Sequence, residues 1–169
     1  SALERDDGPT ALVLTRQAMP TIDRAKFGSA EGLRKGAYVL ADLGEGPIRL
    51  ILMASGSEVE IILEAGEKLA SKGISVRMVS FPSWELFEAQ SAEYRQQVLP
   101  AAIRARVAIE AGITLGWERW VGDGGAVIGL NHFGESAPYE ELYERFGLTA
   151  DNVVQKAQEV LARIEPLGS

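Results

Sequence analysis

His132 is the chain's single histidine, and cysteine is absent. The lack of cysteine removes thiol catalysis, disulfides and zinc–thiolate sites together. A lone imidazole, with no attending nucleophile and no second ligand at metal spacing, makes neither a triad nor a metal centre. His132 therefore reads as a surface or packing residue. Ser55, Gly56 and Ser57 follow an apolar run and precede a helical pattern. Free backbone N–H groups and a positive helix end make that loop a candidate anion site. It lacks the Gly-x-Gly-x-x-Gly and Walker spacings, and Ser57 with Glu60 forms a capping box that explains the serine structurally. Arg95 lies mid-helix beside Tyr94. Its planar guanidinium fits phosphate oxygens, but on composition alone an arginine exposed near Glu93 or another acid is the simpler reading. Trp84, Trp117 and Trp120 read as core or interface anchors.

Gly122-Asp123-Gly124, with Asn152 downstream, imitates the GDG…N motif that holds magnesium and thiamine diphosphate. In that motif the triplet follows a strand and the asparagine sits on a loop. Here the triplet precedes a strand and Asn152 falls in the first turn of a helix. The triplet reads as a glycine turn, and no metal ligands are assigned.

The elements that position these residues centre on Arg49 to Ser83. Leu50 to Ala54 is wholly apolar, which suits a strand buried on both faces. A helix follows, with Val59, Ile62, Leu63, Gly66 and Leu69 expected on its inner face and Gly73 at its end. Ile74 to Val79 is a second strand. A strand–helix–strand unit makes the two strands parallel. The fold class is α/β, with a mostly parallel twisted sheet of about five strands and helices on both faces.

Upstream, Thr10 to Thr15 has strand character, as either the end of a preceding domain or an edge strand of this one. Residues 17–36 carry Pro20, Gly28 and Gly32 with no clean period and read as a linker. Ala37 to Ala41 is a short strand that the Gly44–Pro47 turn would fold onto Leu50–Ala54 as a hairpin. Downstream, one helical turn is expected from Trp84 to Ala89. Ser91 caps a helix to Leu99, where Pro100 stops it. Arg106–Glu110 and Ala126–Leu130 are strands, with a short helix over Gly116–Val121 between them. Pro138 opens a helix ending at Gly147, with Leu142, Tyr143 and Phe146 inward. Thr149 or Asp151 caps the last helix, whose apolar stripe is Val153, Val154, Ala157, Val160, Leu161 and Ile164.

At 169 residues and 46% hydrophobic, the chain can build one sizeable core. Its net charge of −7 argues against nucleic acid or an anionic membrane as partner. No apolar run reaches spanning length and the N-terminus has no signal-peptide pattern, so a cytoplasmic location is expected.

Several segments then take on a family likeness. ASGSEVEIILEAGEKLASKGISVRMVSFPS, AEYRQQVLP, ARVAIEAG and FGESAPYEELYERFGLT resemble the C-terminal domain of transketolase. GPTALVLTRQ resembles the end of that enzyme's middle, pyrimidine-binding domain. The match runs in order over nearly the whole chain, and FGESAP with EYRQQVLP is quite specific. The resemblance implies three segments: 1–16 as the tail of the pyrimidine-binding domain, 17–36 as linker, and 37–165 as the C-terminal domain. It implies two-carbon ketol transfer between sugar phosphates, with thiamine diphosphate and a divalent metal in the full-length enzyme.

The cofactor would sit between the first domain of one subunit and the middle domain of the other. Neither cofactor nor metal is then expected on this part of the enzyme, no catalytic residue is carried over, and alone the chain would be silent. Its partners would be the remaining transketolase domains, a second subunit and the sugar phosphate. Arg95 is implied as a substrate-phosphate-binding residue. Two other readings stand beside this one: a free-standing module binding a small anion at Ser55–Glu58, and an interaction subunit acting in trans.

Overall fold

A computed structural model describes residues 5–164. The sheet has five strands in the order β1-β3-β2-β4-β5. They are β1 (Tyr38–Leu43), β2 (Leu50–Ala54), β3 (Val76–Ser80), β4 (Arg106–Ile109) and β5 (Ala126–Ile128). β2 pairs in parallel with β3 on one side and β4 on the other, and β5 extends the parallel set. Six α-helices interleave with these strands or follow them, the first five being α1 (Glu58–Ser71), α2 (Trp84–Glu88), α3 (Ala92–Val98), α4 (Glu118–Val121) and α5 (Tyr139–Phe146). The last element is α6 (Ala150–Ile164).

The wholly apolar β2 sends its residues alternately to two cores. Leu50, Leu52 and Ala54 join α1 and α6 on one face. Ile51 and Met53 join Phe81, Phe87, Trp117 and Trp120 on the other, beneath α2, α3 and α4. Helices cover both faces, as the strand's composition requires.

The structure corrects four expectations. β1 does not form a hairpin with β2; it runs antiparallel to β3. The connection after β1 crosses the start of β3 instead, where Arg49 N donates to Ser75 O and Ser75 Oγ donates to Gly46 O. β2 is thereby left free to take a parallel neighbour on each side. Thr10 to Thr15 is not a strand: Leu12, Val13 and Leu14 are exposed, and the run has no partner strand among the described residues. Ser57 is not the cap of α1. Its backbone is already helical, at φ −64° and ψ −30°, and its side chain makes no cap bond. Finally, the inner face of α1 uses Ala65 where Leu63 was expected; Leu63 is half-buried on the flank. From Ile62, positions 65, 66 and 69 keep the helical period, and 63 falls one step round.

Ile62 is fully buried in the α1 face. Ile62→Ala is expected to cost about 2–5 kcal/mol, and Leu63→Ala clearly less. Urea melts of the two variants check this; equal losses would put the inner face elsewhere.

Other boundaries hold closely. Ser91 Oγ accepts from Tyr94 N at 3.2 Å and caps α3. Between the two candidate caps of α6, Thr149 serves, its Oγ1 accepting from Asn152 N at 3.2 Å. Asp151 instead receives Lys68 Nζ at 2.6 Å. Gly147 stops α5 in the left-handed conformation, at φ 70°. Residues 1–4 of the assigned tail and residue 165 of the assigned domain lie outside the described residues.

Candidate functional site

β2 and β4 are neighbours, yet the chain leaves them toward opposite faces: α1 packs on one core and α4 on the other. Such a divergence opens a crevice beyond the C-terminal strand ends, where ligands bind in open α/β sheets. Here two carboxyl groups stand at the strand ends. Ser55 follows β2 and donates from Oγ to Glu110 Oε1 at 2.8 Å; Glu110 follows β4. Trp117 Nε1 donates to Glu110 Oε2 at 2.7 Å. Glu58, only 4% exposed, opens α1. Its Oε1 accepts from Ser57 Oγ at 2.8 Å and from Tyr143 OH at 2.5 Å, and its Oε2 from Ala111 N at 3.1 Å. Tyr143 comes from α5. Its phenol is pushed up by burial first and by the hydrogen bond to Glu58 second, with the Ser57 bond opposing.

The candidate anion site at Ser55, Gly56 and Ser57 lies at this network. Both serine hydroxyls are committed to carboxyl oxygens. An arriving anion would meet two acidic groups in a partly buried site. Sequence reasoning missed Glu58, Glu110 and Tyr143 as a network. One signal was available: Glu58 stands four residues before Ile62 and seven before Ala65, which puts an acidic residue on the apolar face.

The other candidates lie apart from this crevice. Arg95 sits on α3 with an exposed side chain and no side-chain partner among the described residues. Arg77 and Arg106 do structural work instead. Arg77 grips Asp42 with two nitrogens, at 2.8 and 2.7 Å. Arg106 donates to the carbonyls of Leu99, Pro100, Ile103 and Trp120, tying down the ends of α3 and α4. His132 is exposed, its ring 4.9 Å from that of Phe146.

Gly122–Gly124 form the turn before β5, where Gly124 O and Gly125 O accept from Arg163. Asn152 Nδ2 donates to Gly147 O at 2.7 Å, at the end of α5. Asp123 thus lies in the turn before β5 and Asn152 in the first turn of α6, bonded to the end of α5. Among the described residues no cluster of three His, Cys, Asp or Glu could hold a metal. No helix among them is long and apolar enough to cross a membrane.

The fold is a five-stranded, mostly parallel α/β sheet with two of the chain's own carboxyl groups, Glu58 and Glu110, at the crevice between β2 and β4. A family model described as the transketolase-like TK C-terminal domain matches residues 36–149. The transketolase of Aquifex aeolicus is 51% identical over 158 residues, which is 94% of this chain and 23% of that protein. The solved transketolase of Leishmania mexicana superposes with a TM-score of 0.74 at 40% identity, over 82% of this chain and 20% of that one. A Pichia stipitis transketolase solved with sedoheptulose-7-phosphate gives 0.78 at 31%, over 89% and 21%. The chain belongs to the transketolase family and corresponds to its C-terminal domain. It spans about a quarter of the length of the curated relatives it matches, 23% and 24% for two of them.

Proposed function

We propose that this chain works as one part of a full-length transketolase that moves two-carbon ketol units between sugar phosphates. Thiamine diphosphate and a divalent metal would be held by the other domains and by a second subunit of a homodimer in the cytoplasm. The observation that carries this is the combination of half-identical relatives four times as long with a crevice that has the chain's own carboxyl groups at its strand ends. The same carboxyl groups weigh against a free-standing anion-binding module.

Within the enzyme, Arg95 is the proposed grip on the substrate phosphate. Its guanidinium is exposed and uncommitted among the described residues, as a group awaiting a ligand should be. A second reading rests on Arg16, which is equally exposed and, among the described residues, uncommitted. Arg16 directly follows Thr10 to Thr15, the run that resembles the pyrimidine-binding domain, and so stands nearer the cofactor side.

Removing a charge-assisted contact costs about 1.5–3 kcal/mol, roughly ten- to a hundredfold. Arg95→Ala in the full-length enzyme is expected to raise KM for phosphorylated donors by that factor. KM for unphosphorylated ketol donors should stay nearly unchanged. The measurement is KM for both donor types in wild type, Arg95→Ala and Arg16→Ala. Equal losses for both donors in Arg95→Ala remove its phosphate role. A phosphate-selective loss in Arg16→Ala alone transfers that role to Arg16.

A further inference from the structure

Large apolar side chains stand in the open at the C-terminal rim of the sheet. Ile113 is 60% exposed, Leu115 70% and Phe133 97%. They belong to two loops, one after β4 and one after β5, that are fastened together. Leu130 N donates to Gly112 O at 2.7 Å. Asn131 Oδ1 accepts from both Thr114 N and Thr114 Oγ1, at 3.2 and 3.0 Å. The loops approach so closely at Gly129 that a Cβ there would meet Gly112 O at 2.7 Å. Trp117 anchors the first loop in the core. These apolar groups are held in place, which is the condition for a preformed docking surface.

The path of the chain indicates what covers them. The segment before residue 20 passes the domain at this same rim. Gln17 and Met19 line a cavity of about 110 Å³ with Ser57, Glu60, Ile61, Tyr139 and Tyr143. Tyr143 OH donates to Glu58, and the same carboxyl accepts from Ala111 N, two residues before Ile113. Leu14 is three residues before Gln17, a reach of roughly 10 Å. Whatever carries Thr10 to Thr15 is therefore delivered to the rim.

The geometry points to Ile113, Leu115 and Phe133 as the seat of the preceding domain of the same polypeptide, the one that includes Thr10 to Thr15. This rests on the reading as a transketolase C-terminal domain. A tether of this length raises the local concentration of that domain at the rim far above that of a free partner.

Hydrogen exchange of the full-length enzyme and of this chain tests it, in peptides covering 112–116 and 131–134. Exchange should slow by about tenfold or more in the full-length enzyme. Phe133→Asp together with Leu115→Asp should leave the melting of this chain unchanged and abolish the slowing in the full-length enzyme. Equal exchange in the two proteins overturns the assignment, as does slowing that survives the double variant. Slowing that disappears when the enzyme is diluted to single subunits also overturns it, giving the rim to the second subunit. Ketol transfer measured on the same preparation keeps the two readings apart. Activity without slowing removes the rim alone, and absence of activity removes the transketolase reading.

Discussion

Trp117→Ala is expected to destabilise the chain by about 3–5 kcal/mol, the range for emptying a buried tryptophan site. The side chain is 0% exposed. Its ring meets Phe81 edge-on, with centroids 5.7 Å apart, and Trp84 at 5.3 Å. These contacts add to the area buried. Truncation also strands Glu110 Oε2, which accepts the indole N–H at 2.7 Å. Losing the partner of a partly buried acceptor costs about 1–3 kcal/mol more when no water replaces it. The surroundings cannot close on the void easily, since Trp84 sits over Gly116, whose Cβ position it would contact at 2.6 Å. Trp117→Phe keeps most of the ring volume and loses only the N–H, so it should recover more than half of the deficit. Urea midpoints at constant slope measure both variants. A loss under 1 kcal/mol for the alanine variant would mean that this aromatic face is loosely packed. In the full-length enzyme Trp117→Ala should also speed exchange in 112–116, because the loop loses its root.

The βαβ unit from β2 to β3 was readable because its signals are local. An apolar pentapeptide, a helical period and Gly73 each act within a few residues, and the bounds of α1 to α6 follow from similar marks. The place of β1 was not readable that way. Its composition suits a hairpin as well as an edge strand. The choice was made by β3 and β4, which take both edges of β2 and leave none for β1, and that is a nonlocal arrangement. Ser57 shows the same limit at the scale of one side chain. Ser57 with Glu60 satisfies the capping spacing, yet Ser57 Oγ donates to Glu58 and stands 3.2 Å from Tyr143 OH, 86 positions along the chain. A local pattern cannot weigh a partner that only the fold delivers. Arg95 was legible only as a helical, exposed cation; its proposed role came from the resemblance, not from its spacing. Ala65 and Leu63 exchanged places for a simpler reason: hydrophobicity ranks leucine first, but the angle round the helix decides which side chain is inside.

The second large effect is expected at Glu58. Glu58→Ala removes the common acceptor of Tyr143 OH, Ser57 Oγ and Ala111 N. Ser57, half-exposed, can turn its hydroxyl elsewhere. Ala111 N–H belongs to an exposed residue that water can reach, and the half-buried tyrosine hydroxyl keeps Ser57 Oγ at 3.2 Å as a neighbour. The expected loss is therefore that of about one partly buried donor left unpaired, about 1–3 kcal/mol. Glu58→Gln should lose less, since one carbonyl oxygen still accepts while the NH₂ meets donors. Tyr143→Phe removes one donor and should cost about 1 kcal/mol. The double variant Glu58→Ala/Tyr143→Phe then closes a cycle, with a coupling of roughly 0.5–3 kcal/mol if the two side chains act through their contact. A coupling near zero would remove the contact from the account of stability.

The pH dependence gives an independent reading of the same bond. Burial and Glu58 raise the phenol of Tyr143 in the folded state. The native chain thus holds its proton where an unfolded tyrosine, at about 10, releases it. Stability from this group is complete below that value and is lost as pH rises from it through the raised one. Tyr143→Phe should remove this alkaline loss. Melts across the alkaline range that fall equally in wild type and Tyr143→Phe would show that the drop arises elsewhere, and that the link between α5 and the head of α1 rests on packing rather than on the hydroxyl.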